Sequence, residues 1–92
     1  MLSIDIPSNG SSWLTFTELK KYNIPAPPNG FSSEANDNVI IHFDDEQQAL
    51  DYAYDLDTYS NSIDRETEEY NVIADIIKAV GDDEFVKAYI QS

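Results

Sequence analysis

The feature that most constrains the fold of this chain is its excess of negative charge. Its 92 residues include 18 Asp and Glu but only 5 Lys and Arg, so the formal net charge is −13. Small designed domains usually carry a net charge of only about 2–8 in magnitude. Since excess like charge opposes compaction, a chain that keeps this imbalance either uses it or owes it to a general requirement for solubility.

The rest of the composition is that of a folded domain. Hydrophobic residues make up 41% of the chain and are spread along it, so a core can form despite the charge. A chain of this length buries roughly two-thirds of the surface that its unfolded form exposes. We therefore expect residues 1–92 to form a single domain.

Several classes of function and location are disfavoured. A chain this acidic lacks the Lys and Arg that grip phosphates, so direct binding to nucleic acid or to an anionic membrane is not expected. The absence of cysteine excludes disulfides, thiolate nucleophiles and sulfur-ligated metals. With no signal peptide visible and no apolar stretch near the ~18 residues of a membrane span, a cytoplasmic location is predicted.

The first half of the chain predicts two strands. Apolar and polar residues alternate over residues 2–6, and 39–43 is a β-branched, apolar run. Residues 15–18 match a capping box at the start of a short helix that continues to Tyr22. The stretch 25–38 is polar and bears prolines, which predicts a long loop that is either functional or mobile.

The second half predicts three helices. Asp44 and Asp45 offer N-caps to a helix from Glu46 to about Asp57, with a core face of Ala49, Leu50, Ala53 and Leu56. A linker at 58–62 precedes a strongly amphipathic helix from about Ile63 to Val80, closed by Gly81. A last helix, capped by Asp82, carries Phe85, Val86, Tyr89 and Ile90 on one side. The predicted fold is α+β, with a small sheet of about two strands packed against three to four helices.

Negative charge is concentrated in these helices. Residues 44–84 hold 14 of the 18 carboxylates, opposed there only by Arg65 and Lys78. Helical spacing predicts one row with Asp44, Asp51 and Asp55 and another with Asp64, Glu68 and Asp75. Carboxylates four residues apart lie about 6 Å apart along a helix axis, and such pairs cost a few tenths of a kcal/mol. The spacing and charge density are similar to those of a phosphate backbone.

Tyrosines are interleaved with this charge. Because Ala49, Leu50, Ala53 and Leu56 already supply a core face, at least one of Tyr52 and Tyr54 should lie at its border or in solvent. Tyrosine is enriched at binding hot spots, and a surface of Tyr and Asp suits Arg- and Lys-rich partners. The predicted partner-binding residues are Asp44, Asp45, Glu46, Asp51, Tyr54, Asp55, Asp57, Tyr59, Asp64, Glu66, Glu68 and Glu69.

No set of residues points to catalysis or to a cofactor. The window 55–66 has acids at positions 1, 3 and 12 of an EF-hand, but Tyr59, Ser60 and Ser62 occupy positions that such a loop reserves for other residues. His42 is the only histidine and is interpreted as a structural residue of its strand. The proline motif at 25–28 lacks a flanking basic residue and is interpreted as a stiff loop. We expect no enzyme activity, no metal and no cofactor.

In size, charge and the mixture of Tyr with Asp, the segment 44–84 resembles phage-borne DNA-mimic inhibitors, which include anti-restriction and anti-CRISPR proteins. The resemblance implies a stoichiometric inhibitor that blocks the nucleic-acid-binding surface of a host defence complex. An immunity protein or antitoxin that neutralises a basic nuclease would use the same physical interactions and remains an alternative. A small adaptor that oligomerises through apolar faces is another, and the choice between monomer and homodimer stays open.

Overall fold

A computed structural model describes residues 2–6, 16–33 and 38–91 of the chain. Within these residues three strands, β1 (Leu2–Ile6), β2 (Phe31–Ser33) and β3 (Val39–Phe43), form an antiparallel sheet in the order β1-β3-β2. The predicted α+β class and the strands at 2–6 and 39–43 are confirmed. The strand count is three rather than about two, because β2 lies inside the stretch that was predicted as a loop.

The alternation of residues along β1 determines which face of the sheet meets the helices. Leu2, Ile4 and Ile6 are buried, whereas Ser3 and Asp5 are exposed, as expected when successive side chains point to opposite faces. The central strand β3 is buried except at His42, whose Nδ1 lies 2.8 Å from Ser3 Oγ in the cross-strand pair. This contact agrees with a structural role for His42.

The helices of the described residues are α1 (Phe16–Leu19), α2 (Glu46–Ser60), α3 (Glu68–Asp82) and α4 (Glu84–Gln91). The predicted capping box of α1 begins at Thr15, which lies outside the described residues, and this helix ends before Tyr22. Helix α2 is about one turn longer than predicted, but the linker now spans residues 61–67 instead of 58–62 and is longer, because α3 begins later than predicted.

The predicted boundaries of the last two helices are wrong in three places. Helix α3 starts after its N-cap Thr67, not at Ile63, because the Thr67 side chain accepts from the Tyr70 backbone N–H. Gly81 does not end it, since helical hydrogen bonding continues to Asp82. The cap of α4 is Asp83, whose Oδ1 accepts from the N–H groups of residues 85 and 86.

The core lies between the sheet and the two long helices. Helix α3 packs against β1, α2 against β3, and α4 contacts both α2 and α3. Helix α2 also buries Tyr52, which was not in its predicted core face, because Tyr52 packs against the rings of Phe31 and Phe43. The predicted Leu50 and Ala53 are half-buried and pack against the core. The largest fully buried side chains are Phe43, Ile6, Ile41, Leu56, Ile73, Ile76, Val39, Val72, Val80 and Val86.

The segment before β2 is held against α2 and β3. Tyr52 Oη donates to the carbonyl of Pro25 at 2.7 Å. Asn29 Nδ2 donates to the His42 carbonyl at 3.1 Å and to Asp44 Oδ1 at 3.2 Å. Gly30 has a φ of 74°, a left-handed conformation that glycine adopts at no steric cost. The first part of the predicted loop is therefore a packed element that leads into β2.

Candidate functional site

The twelve residues predicted to bind a partner lie in three consecutive places: the start of α2, the body of α2, and the turn and first residues of α3. Nine of them are exposed, and the remaining three, Glu46, Tyr59 and Glu69, are half-buried. Helices α2 and α3 pack against each other. The acidic residues therefore lie at the surface of one helical pair, but they do not all make the same contacts.

Carboxylates at the start of α2 are engaged in holding the helix. Asp45 Oδ1 accepts from the backbone N–H of Gln48 at 2.8 Å, as expected for an N-cap. Asp44 accepts from Asn29 and, at 3.4 Å, from Gln48 Nε2. Glu46 lies in the first turn, where the helix dipole favours an anion. These three acids therefore contribute to the stability of α2.

Acidic residues before and at the start of α3 are similar. Asp64 Oδ1 accepts from the backbone N–H of Glu66 at 2.9 Å and so organises the turn. Glu68 and Glu69 lie in the first turn of α3. Since Asp64 precedes the helix and Asp75 is half-buried, the predicted helical row that included both is wrong.

A hydrogen bond joins the end of α2 to the start of α3. Tyr59 Oη donates to Glu69 Oε1 at 2.7 Å. This bond is the main reason why the pKa of the Tyr59 phenol is raised, and burial and the negative charge of Glu69 act in the same direction. Because Glu69 accepts this bond, it is better placed to position the two helices than to meet a partner.

The body of α2 carries carboxylates without such a role. Asp51 accepts from Gln47 Nε2 at 3.0 Å, but the carboxylates of Asp55 and Asp57 have no hydrogen-bond or ionic partner among the described residues, and both residues are exposed. Asp57 lies in the last turn, which contains no basic residue and where the helix dipole disfavours an anion. The predicted row with Asp44 is reduced to Asp51 and Asp55, because Asp44 precedes the helix.

The two tyrosines in the middle of α2 have opposite environments, which agrees with the prediction that at least one of them lies at the border of the core or in solvent. Tyr52 is 4% exposed, and burial raises the pKa of its phenol well above the ordinary value. Tyr54 is 71% exposed. Residues three apart on a helix are neighbours at its surface, so Tyr54 lies between Asp51 and Asp57 with Asp55 next to it. Tyr54 is therefore an exposed phenol with an acidic residue one turn before it and another one turn after it.

Sequence reasoning missed a second exposed feature, on α4. Its apolar side was predicted from four residues, but only Val86 is fully buried. The others are exposed by 58% (Phe85), 41% (Tyr89) and 58% (Ile90). Tyr89 Oη donates to Gln47 Oε1 of α2 at 2.7 Å. The pattern of the sequence identified the right side of this helix but could not show that the core ends beneath Val86.

The described residues contain no group of three or more His, Asp or Glu side chains that could hold a metal ion. The first half of the EF-hand window, including Asp55 and Asp57, is helical rather than a loop. Among the same residues, no helix is long and apolar enough to cross a bilayer. No protein-family model, curated protein or solved structure matches the chain.

Proposed function

We propose that this chain is a stoichiometric inhibitor that acts in the cytoplasm and occupies the nucleic-acid-binding surface of another protein or complex, such as a host defence effector. The observation that supports the proposal is the surface of α2 around Tyr54. There the carboxylates of Asp55 and Asp57 are exposed and free of partners among the described residues, and Asp57 lies in the last turn, where the helix dipole disfavours an anion.

A basic groove would recognise this surface through the contacts that it makes with nucleic acid. Arg and Lys that bind phosphates would form charge-assisted hydrogen bonds with Asp55, Asp57 and the exposed Glu68 at the start of α3. The exposed ring of Tyr54 offers its face to a guanidinium group, as a stacked base would. Occlusion of the groove follows from binding, and no chemical step is needed.

Long-range attraction would make this binding fast. The net charge of −13 steers the chain towards a positive potential, and such steering weakens as salt screens it. The captured protein should therefore be released by salt and displaced by its own nucleic acid.

The test compares two triple variants of equal charge. D55N/D57N/E68Q neutralises carboxylates around the proposed surface, and D5N/D82N/E84Q neutralises three exposed ones elsewhere. Each change removes three negative charges, so any difference between the variants reports local recognition rather than net charge. Circular dichroism and urea denaturation establish that both remain folded.

In the experiment, the wild-type chain is immobilised and exposed to lysate of cells that carry its gene, and captured proteins are eluted with NaCl or with double-stranded DNA and RNA. We expect to capture a basic nucleic-acid-binding protein that DNA or RNA displaces. D5N/D82N/E84Q should capture as much of it as the wild-type chain does, whereas D55N/D57N/E68Q should capture at least tenfold less. A specific partner that resists both salt and nucleic acid, or equal capture by both variants, would contradict the proposal.

A further inference from the structure

Helix α4 presents an apolar face that the rest of the chain covers only in part. Phe85, Val86, Tyr89 and Ile90 follow one another at spacings of one, three and one residues, which places them on one side of a helix. Val86 enters the core, while Phe85 and Ile90 are each 58% exposed. Large apolar side chains grouped at a surface mark an interaction site more often than isolated ones do.

This face borders a groove with acidic walls. Phe85 lines it together with Leu2 and Ser3 of β1 and with Asp44, Asp45 and Glu46 at the start of α2, and its volume is about 420 Å³. Sites for small molecules span roughly 300–1,000 Å³, so the groove has room for a large side chain of a partner. Its lining combines the apolar Leu2 and Phe85 with three consecutive acidic residues, Asp44, Asp45 and Glu46.

The charges around the groove favour a positively charged ligand. Asp44 and Asp45 accept hydrogen bonds from within the domain but remain exposed, so their charge is available to a partner. Lys87, the cation of α4, follows Phe85 by two residues and therefore lies about 200° around the helix, away from the groove.

We propose that the groove and the exposed face of α4 dock a basic segment of another protein, with a large apolar side chain beside Phe85 and Lys or Arg against Asp44, Asp45 and Glu46. A second copy of this chain fits poorly, because two domains of charge −13 would bring two acidic rims together. The inference concerns residues other than Asp55, Asp57 and Glu68 and does not depend on the function proposed above.

The test uses a display library of random twelve-residue peptides, selected on the wild-type chain at low salt. We expect the enriched peptides to combine Lys or Arg with an aromatic or large aliphatic residue. Fluorescence anisotropy of one such peptide should show at least tenfold weaker binding to F85S/I90S than to the wild-type chain. The same loss is expected for E46Q when it is measured in added salt. Amide chemical-shift changes on titration should centre on residues 44–46 and 85–90.

Two controls separate this surface from the other one. Tyr54→Ser removes an exposed aromatic ring from α2, and D55N/D57N/E68Q removes three charges there; both should change the affinity of the peptide by less than about threefold. Because Phe85 and Ile90 are more than half exposed, F85S/I90S should remain folded, which its circular dichroism checks.

Enriched peptides without basic residues would overturn the proposal, and so would peptide binding that F85S/I90S leaves unchanged. A wild-type dimer in sedimentation equilibrium that F85S/I90S dissociates would instead identify a second copy as the occupant and would overturn it as well.

Discussion

The two ends of α2 carry the same kind of side chain for opposite reasons. At its start, Asp45 caps the helix and Glu46 lies where the helix dipole favours a negative charge. At its end, Asp57 lies where the dipole disfavours one, with no basic residue in that turn. Carboxylates at the first end stabilise the helix, whereas Asp57 at the second end is retained although it does not.

This difference shows how an acidic surface can be divided into parts. Counting carboxylates identifies all of α2 and the start of α3 as a candidate site, whereas contacts and helix position together single out Asp57, and Asp55 beside it in the chain also has a carboxylate without a partner among the described residues. Substitution of a stabilising acid would weaken binding through loss of folding, which resembles loss of a contact. Acids without a stabilising role, such as Asp57, allow binding to be tested separately from folding, whereas a variant that includes Glu68 also needs a measurement of its stability.

The largest effect on stability is expected from a substitution in the core face of α2. Leu56 lies between Asp55 and Asp57 in the chain but is fully buried. Leu56→Ala should lower the free energy of unfolding by about 2–5 kcal/mol, because it leaves a cavity, as measured by urea denaturation. Leu50→Ala, at a half-buried position of the same helix, should cost clearly less. Equal losses would mean that α2 does not pack as described.

A second prediction concerns alkaline pH and Tyr52, on the buried side of α2. Burial raises the pKa of its phenol above the ordinary value of 10.0, so the unfolded state loses its proton first as the pH rises. The free energy of unfolding should be insensitive to this group below about pH 10 and should fall above it, by at most about 1.4 kcal/mol per pH unit.

The check is urea denaturation between neutral and alkaline pH. Tyr52→Phe should flatten the alkaline decrease, although it loses the bond to the Pro25 carbonyl and so lowers stability at neutral pH. Tyr59→Phe is the comparison, because the raised pKa of Tyr59 has a different main cause, its hydrogen bond to Glu69. An alkaline decrease that Tyr52→Phe leaves intact would contradict the prediction.

Loss of the N-cap should have a smaller effect. Asp45→Ala removes the acceptor for the Gln48 backbone N–H and should destabilise the domain by about 0.5–2 kcal/mol. Asp45→Asn keeps a capping oxygen and should recover most of the difference. If Asn behaves like Ala in the same denaturation experiment, the role of Asp45 is not that of a cap.

The smallest effect distinguishes the two ends by its sign. Asp57→Asn should raise the free energy of unfolding by about 0.3–1 kcal/mol at low ionic strength, because it removes an anion from the negative end of the dipole. Glu46→Gln, at the other end, should lower it by a similar amount. Both effects should shrink in salt. The same sign for both substitutions would invalidate the distinction between the two ends.

Local patterns predicted much of this fold. The alternation at 2–6, the apolar run at 39–43 and the Asp45 cap gave two strands and the start of α2. Strand β2 was not predictable in this way, because Phe31–Ser33 is too short for a periodic signal and depends on pairing with β3, eight residues further along the chain. The start of α3 did have a signal, since Thr67 is followed by two glutamates, but the apolar Ile63 led the prediction to an earlier start.

The candidate site was predictable only as a list of residues. The sequence indicated where the carboxylates are dense, but the hydrogen bonds that engage Asp44, Asp64 and Glu69 arise from tertiary and turn contacts. The choice between Tyr52 and Tyr54 likewise depended on Phe31 and Phe43, which pack against Tyr52 from other elements. The exposed face of α4 depended on where the core ends.

The contacts around Asn29 affect how fast this side chain deamidates. Asparagine followed by glycine deamidates when the backbone nitrogen of the glycine attacks the side-chain amide, and here the Gly30 N–H is engaged with the Pro27 carbonyl at 2.9 Å. The folded state should therefore age slowly, and mass spectrometry should detect faster ammonia loss in urea. Once Asn29 becomes Asp, a carboxylate faces Asp44 and the His42 carbonyl, so an aged chain that has unfolded should refold to a less stable domain.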